Sequence, residues 1–184
     1  MNAQTSTAET ASGGASRAPE DRLAMARDLL AAKPDGVIEA VAGQAGLPTQ
    51  TVLELTAPQQ RVFIDADRFE QVWSELAGWG EILFVVHTKD VVAEIVGALP
   101  PGKAGHGYFN IHGDSPIGGH IRAAHCRAIY LVDRPFHGRR SCSVQFFNAD
   151  GEAMFKVFVR RDAARALLPD QVAKFEALRT WAQA

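Results

Sequence analysis

The chain has 184 residues, of which 47% are hydrophobic and 22% charged, and its 19 basic and 21 acidic side chains give a formal charge of −2. This length and composition are typical of one soluble globular domain. No apolar run approaches the roughly 18 residues that span a bilayer, and the first residues lack the basic and apolar regions of a signal peptide. Two cysteines, Cys126 and Cys142, exclude a disulfide framework and a four-thiolate zinc site. We therefore expect a cytoplasmic protein with reduced, structural cysteines and no membrane partner.

Residues 1–17 are mostly Ala, Ser, Thr and Gly without an apolar period, which predicts a disordered tail. The remaining residues, 18–184, are predicted to form a single domain, with an N-terminal helical subregion over 18–60 and a sheet core over 61–184. The first helix is predicted from Pro19, a residue suited to a first helical turn, to about Ala32.

Two short helices are predicted over residues 37–55, broken at Gly46-Leu47-Pro48, with Thr49 as the cap of the second. This outline resembles a helix-turn-helix. A helix that reads DNA exposes residues such as Arg, Lys, Asn or Gln, whereas this one offers Gln50 and then Glu54. The local charge is acidic, which opposes phosphate binding. We interpret the two helices as a packing module and expect no nucleic-acid partner.

A helix is predicted over Asp67–Gly78, after which an apolar period of two indicates strands. The predicted strands are Glu81–His87, Val91–Gly97, Gly107–His112, Gly118–Ala124, Arg127–Val132, Ser143–Phe147 and Ala153–Val159. Their connections are too short for crossover helices, so the sheet should be largely antiparallel. A last helix is predicted from Leu167 to Ala182, interrupted near Pro169. The predicted fold class is α+β, with small N-terminal helices, a largely antiparallel β-sheet and a C-terminal helix.

The small net charge hides a division along the chain. Residues 19–100 carry 6 basic and 13 acidic side chains, whereas residues 121–165 carry 9 basic and 4 acidic ones. This division favours an anionic ligand near the later half. Catalytic motifs are scarce: the chain has no Walker loop, nucleophile elbow or metalloprotease helix motif, which argues against a hydrolase.

All six histidines lie between positions 87 and 137. A lone strand histidine is commonly a hydrogen-bonded core or rim residue, and the spacing here matches no familiar zinc pattern. A haem site requires fewer protein ligands than a zinc site: one or two axial ligands, with apolar walls and cations for two propionates. The candidates are His87, His120 or Tyr108 as the ligand, Phe84, Phe109, Ile111 and Ile121 as walls, and Lys103 and Arg122 as propionate partners.

Several short motifs follow one another in a specific order. They are Trp79-Gly80-Glu81, Val86-His87-Thr88-Lys89-Asp90-Val91, Leu99-Pro100-Pro101-Gly102, His106-Gly107-Tyr108-Phe109-Asn110, Gly119-His120-Ile121 and the hairpin from Phe146 to Phe158. Through these motifs the chain, from about Lys33 to about Leu178, resembles the HutX/ChuX family of haem-utilisation cytosolic carrier proteins.

The resemblance implies a homodimer in which two sheets combine into a saddle, and an intracellular carrier that holds haem as cargo after import. Such a carrier passes haem to an acceptor or haem-degrading protein. The two histidines implicated in haem binding in this family match His87 and His120, and a further proposed ligand matches Tyr108. We expect His87 and His120 to ligate the iron and Arg122 or Lys103 to pair with the propionates.

Two other classes of function stay open from the sequence. Related larger proteins are reported to break the porphyrin with a supplied reductant, so a reductant-dependent haem-degrading enzyme is the enzymatic alternative. The third class is the helix-turn-helix regulator. A carrier needs neither a general base nor a nucleophile, which agrees with the scarcity of catalytic motifs, and we expect no catalytic residue.

Overall fold

The computed structural model describes residues 18–184, so the predicted tail over 1–17 lies outside the described residues. Three helices come first in the chain: α1 (Pro19–Ala32), α2 (Ile38–Ala45) and α3 (Thr49–Glu54). Helix α1 begins at the predicted proline, with two acidic side chains in its first turn, where they complement the helix dipole. Helix α2 ends at Gly46, whose φ of +67° is the left-handed conformation that favours glycine at a helix end.

The predicted cap of α3 is wrong, because Pro48 is the N-cap and Thr49 is the first helical residue. The Thr49 hydroxyl instead donates to Oε2 of Glu152 at 2.7 Å. The backbone N–H of Gln50 donates to the carbonyl oxygen of Gly151 at 2.8 Å. Helix α3 is thereby fastened to the turn of a β-hairpin, which supports its interpretation as part of a packing module.

The strands form two antiparallel sheets. One contains β1 (Arg61–Asp65), β2 (Glu81–His87), β3 (Val92–Ala98), β7 (Cys126–Phe136), β8 (Arg139–Asn148) and β9 (Ala153–Phe158), in the order β1-β7-β8-β9-β2-β3. The other contains β4 (Gly102–Gly105), β5 (Tyr108–Ile111) and β6 (Gly119–Ile121), in that order. Helix α4 (Phe69–Ala77) lies between β1 and β2 in the chain, and α5 (Pro169–Ala182) follows β9. The predicted α+β class is confirmed.

Some elements differ from the sequence prediction. Neither β1 nor β4 was expected, and both exist through their pairing with β7 and β5. The strand predicted over Gly118–Ala124 is shorter, because Ala123–His125 forms a 3₁₀ turn. Helix α5 begins at Pro169, since Leu167 is held in an isolated bridge with Arg161.

Side chains of the six-stranded sheet alternate between two faces, as the pleat requires. We call the face that packs against α4, α5 and the three-stranded sheet the inner face. Its core includes Ile82, Phe84, Ile129, Leu131, Val144, Phe146, Phe155 and Val157, packed with Phe69, Trp73, Phe109 and Phe175. On the opposite, outer face, the N-terminal helices cover β7 and β8 through Ile38, Val41, Val52, Leu53, Tyr130, Val132 and Phe147.

Both cysteines are free and buried, Cys126 in β7 and Cys142 in β8. Burial raises the pKa of the Cys126 thiol to about 11. Burial, together with the neighbouring Asp133 carboxylate, raises the pKa of Cys142 to about 12. Both side chains are therefore neutral thiols near pH 7, as the structural interpretation requires.

The three-stranded sheet is held against α4 by one aromatic contact group. The Phe109 ring makes edge contacts with Phe69 and Trp73, with centroids 5.3 Å away in each case. Nε1 of Trp73 also donates to the carbonyl oxygen of Pro100 at 3.0 Å. A Cβ at Gly102, on the neighbouring strand, would overlap the Phe109 ring.

Gly102→Ala is therefore expected to lower the free energy of unfolding by about 1–3 kcal/mol, the usual cost of overpacking a core. Urea denaturation at 25 °C measures it. Gly105→Ala is the matched control, because its Cβ would meet Nδ2 of Asn110 at 3.5 Å, an ordinary contact. Equal stability of the two variants would contradict the proposed packing of β4 on Phe109.

Candidate ligand-binding site

The N-terminal helices leave part of the outer face uncovered, and a cavity of about 560 Å³ lies there. This volume falls within the range of small-molecule sites. Strands β2, β3, β7, β8 and β9 form the floor, and the start of α2 forms one wall. Valine side chains at its open edge are exposed, Val92 by 55% and Val96 by 46%.

Strand register arranges the cavity floor in successive levels. The level at one end holds His87 beside Val92. The next holds Glu94, Val85, Lys156 and Gln145, and the one after it holds Val96, Leu83, Phe158, Ser143 and Val132. Arg134, Ser141, Arg160 and Arg161 line the far end. The cavity thus runs from an imidazole, across a largely apolar middle, to a group of guanidinium side chains.

His87 shares its end of the cavity with a buried ion pair. Nζ of Lys156 donates to Oε1 of Glu39, in the first turn of α2, and the Lys156 side chain is only 7% exposed. Burial lowers the pKa of Lys156 to about 8. Nδ1 of His87 lies 3.6 Å from the same Glu39 oxygen. One carboxylate therefore faces both the ammonium group and the imidazole.

The other predicted site residues lie on the exposed face of the three-stranded sheet. Lys103, Asn110 and His120 are opposite one another on β4, β5 and β6. Nη2 of Arg122 donates to the hydroxyl oxygen of Tyr108 at 2.9 Å, and its guanidinium lies over that ring. The Tyr108 and His120 rings are in edge contact, with centroids 5.8 Å apart.

The hydrogen bonds of Asn110 fix the tautomer of His120. The Asn110 amide nitrogen donates to the carbonyl oxygens of Lys103, Gly105 and Tyr108, at 3.2, 3.0 and 3.4 Å. Its Oδ1 therefore faces His120, whose Nδ1 lies 2.7 Å away and must be the donor. In the neutral ring this leaves Nε2 without a proton and able to ligate a metal ion.

The structure brings together His120, Tyr108 and Arg122, with Lys103 in the same cross-strand row. His87 lies on the other sheet, and no hydrogen bond, ion pair or ring contact joins it to His120 within residues 18–184. The candidate haem-binding residues therefore form two separate clusters, whereas the sequence predicted one site.

The predicted walls require correction. Phe84, Phe109 and Ile111 belong to the inner core, and Ile121 packs against it. Because side chains alternate along a strand, Phe84 points away from the face that carries His87, and Phe109 points away from the face that carries Tyr108. The apolar residues on the face of β2 that carries His87 are Val85 and Leu83.

Sequence reasoning did not single out Glu39, Lys156, Arg134 or Arg160. Lys156 offers a signal in retrospect, because it interrupts the apolar run Met154–Phe158 at a position where a charge would be buried. Its partner Glu39 is 117 residues away in the chain, so only the tertiary structure joins them.

Comparisons with known proteins agree on one family. The family model for haem utilisation ChuX/HutX matches residues 62–178. The chain is 30% identical over 151 residues to the intracellular haem transport protein HutX of Vibrio cholerae, covering 82% of this chain and 78% of that one. Within residues 18–184, no helix is long and apolar enough to cross a membrane.

Solved structures have the same fold. A crystal structure of an Agrobacterium tumefaciens protein is 54% identical, with a TM-score of 0.82 over 88% of this chain and 92% of that one. A structure of the haem-binding protein ChuX is 36% identical, with a TM-score of 0.78 over 86% of this chain and 99% of that one. The resemblance stated from the sequence motifs is confirmed.

Removing one partner of the Glu39–Lys156 pair should destabilise the protein, because a buried charge loses its counter-charge. Glu39→Gln is expected to lower the free energy of unfolding by about 3 kcal/mol, whereas Glu39→Gln combined with Lys156→Met should recover most of that loss. Urea denaturation of the single and double variants measures this coupling. Glu94→Gln, which changes another carboxylate lining the cavity, is the control. Additive effects of Glu39→Gln and Lys156→Met would contradict a coupled pair.

Proposed function

The chain belongs to the haem utilisation ChuX/HutX family, and on this basis we propose that it is a haem carrier in the cytoplasm. It holds haem as cargo after import and passes it to an acceptor or haem-degrading protein. The names of two relatives, an intracellular haem transport protein and a haem-binding protein, support this function.

The observation that carries the proposal is the cavity on the outer face. Haem is a large apolar macrocycle with a metal at its centre and two carboxylates, so its site needs a ligand atom, apolar walls and cations. The cavity offers His87 as the iron ligand, Val85 and Leu83 in its middle and guanidinium groups at its far end. These residues fit the chemistry of the cargo.

The cluster on the three-stranded sheet supplies a second set of iron ligands. In the proposed carrier, His120 offers Nε2 and Tyr108 offers its phenolic oxygen, while Lys103 and Arg122 provide positive charge for the propionates. The hydrogen bond from Arg122 to Tyr108 supports the phenolic ligand, because a guanidinium offsets the negative charge that a phenolate brings to ferric iron. This exposed cluster suits the entry or release of haem by exchange of ligands.

Carriage requires no chemical change of the cargo. The site residues described above bind, orient and neutralise charge. A haem-degrading activity would appear as loss of the Soret band with release of iron when a reductant is supplied, and the carrier proposal expects a stable band.

Haem binding is tested by titrating the purified protein with haemin in the Soret region. The wild type should saturate with a shifted and sharpened band. His87→Ala should weaken binding at least about tenfold, equivalent to about 1.4 kcal/mol, and His120→Ala and Tyr108→Phe should shift the band of any haem bound at the second cluster. His137→Ala, at an exposed turn outside both clusters, is the control. An unchanged affinity and spectrum in His87→Ala and His120→Ala combined would disprove the ligand assignment.

We also propose that the carrier is a homodimer. Its sheet has edge strands, β1 and β3, and edge strands need cover. Phe63 on β1 and Val92 on β3 are more than half exposed. Sedimentation equilibrium at micromolar concentration should give twice the chain mass of 19.9 kDa. A species of the single-chain mass alone would refute the dimer.

A further inference from the structure

The far end of the cavity is formed by polar side chains at one level of the sheet. Arg134 lies opposite Ser141 in the register of β7 and β8. Arg160 follows β9 at the same level, where the N–H of Val159 donates to the carbonyl oxygen of Cys142 at 3.0 Å. Arg134, Ser141 and Arg160 therefore lie at one level of the sheet.

The arginines at this end differ in what their side chains already bind. Arg134 donates from Nη1 to the carbonyl oxygen of Gly36 at 2.9 Å and from Nη2 to that of Pro34 at 2.6 Å. Arg161 donates from both terminal nitrogens to two backbone carbonyl oxygens. These two guanidinium groups hold loops in place. In the part of the chain that the structure describes, the Arg160 side chain donates no hydrogen bond to a main-chain carbonyl oxygen.

Within residues 18–184, the buried Nη1 of Arg160 has no hydrogen-bond partner. The nearest carboxylate oxygen, Oε2 of Glu81, lies 3.9 Å away, beyond hydrogen-bond distance, on a side chain that is 73% exposed. A buried N–H without an acceptor is costly and uncommon, and a bound ligand or ion is one way to satisfy it. Arg160 lines the cavity and its side chain is 28% exposed, so the guanidinium group is accessible to a ligand held there.

The main chain of Arg160 is fixed from two sides. Its N–H donates to Oε1 of the buried Gln171 at 2.8 Å, and its carbonyl oxygen accepts from the N–H of Leu168 at 2.9 Å. The guanidinium therefore projects from an ordered backbone, which lowers the entropy lost when it orders around a ligand.

We propose that Arg160 binds a carboxylate of the molecule held in the cavity. The cavity then selects amphipathic ligands that have a large apolar body and carboxylates at one edge. This inference rests on the proposed haem-carrier function, since the two propionates of haem lie at one edge of an apolar macrocycle. In this orientation the propionate edge of haem lies at Arg160, and His87 lies at the opposite end of the cavity.

The register of the sheet gives the separation of the two ends of the cavity. Arg160 is level with Glu81 at the start of β2, whereas His87 ends that strand. Six residues of strand at about 3.3 Å each separate the two levels by about 20 Å. The side chains of Arg160 and His87 extend into this span, and the apolar residues Leu83 and Val85 lie between them.

The experiment compares two metal-free ligands that differ only in their carboxylates, protoporphyrin IX and its dimethyl ester. Neither contains iron, so ligation by a histidine does not contribute. Fluorescence titration in a mild detergent should show that Arg160→Gln weakens the dicarboxylate about 10- to 100-fold, because the lost hydrogen bond is to a charged group. Binding of the diester should not change. Arg160→Lys should fall between the two, because an ammonium keeps the charge without the two-pronged geometry.

Two variants serve as controls. Arg139→Gln removes an exposed arginine of β8 that does not line the cavity, so it should leave both affinities unchanged. Glu81→Gln removes the carboxylate that competes for Arg160, so it should strengthen binding of the dicarboxylate a few-fold. Thermal unfolding of each variant verifies that the fold is retained.

The outcomes separate this inference from the carrier function. Equal weakening of the binding of both ligands by Arg160→Gln would assign Arg160 a packing role and overturn the inference. Unchanged binding of the dicarboxylate in Arg160→Gln would also overturn it, and so would a wild type that binds neither porphyrin. A wild type that binds protoporphyrin IX through Arg160 yet shows no saturable haemin spectrum would refute the carrier function and leave the carboxylate site standing.

Discussion

The buried ion pair between Lys156 and Glu39 connects the N-terminal helices to the middle of the six-stranded sheet. A lysine on the outer face of β9 would be an isolated charge without it, and burying such a charge costs several kcal/mol. Pairing with Glu39 draws the first turn of α2 onto the sheet beside His87. The helices pack on β7 and β8, and the Glu39–Lys156 pair lies where this packing borders the cavity.

The same strands serve the core and the cavity because their side chains alternate. In β2, Ile82 and Phe84 face inward and are buried under α4 and α5, whereas Leu83, Val85 and His87 face the cavity. A shift of one residue in register would exchange the two sets and place an imidazole in the aromatic core. Packing of the inner face therefore holds the cavity face in register, which lets that face stay open to solvent without losing its geometry.

The sequence predicted the secondary-structure elements better than the tertiary contacts between them. Period-two patterns marked β2, β3 and β9, but β4 (Gly102–Gly105) has no apolar alternation and is a strand only because β5 pairs with it. His87, His120 and Tyr108 are conspicuous by residue type. Their separation onto two sheets depends on tertiary packing, which no local pattern encodes. Phe84 was expected at the site because it is near His87 in the chain. It lies on the opposite face of the strand, because successive side chains alternate.

A carrier must bind its cargo tightly and also release it. The proposed site in the cavity would serve tight binding, and the cluster of His120 and Tyr108 would serve release. The cavity contributes apolar contact, which is non-directional and grows with the area buried. In the proposed site, His87 would ligate the iron at the centre of the macrocycle and Arg160 would bind a propionate at its edge, so the two residues together would fix the orientation of the haem. One side of the cavity is bounded by the sheet and the other is open, which leaves one face of a planar ligand within reach of an acceptor. Transfer can then proceed through a complex in which both proteins contact the haem, so its apolar surface is never fully returned to water. His120 is exposed and Tyr108 half-buried on the three-stranded sheet, and this position suits the proposed exchange, because a ligand near the surface can be replaced without unfolding the site that supports it.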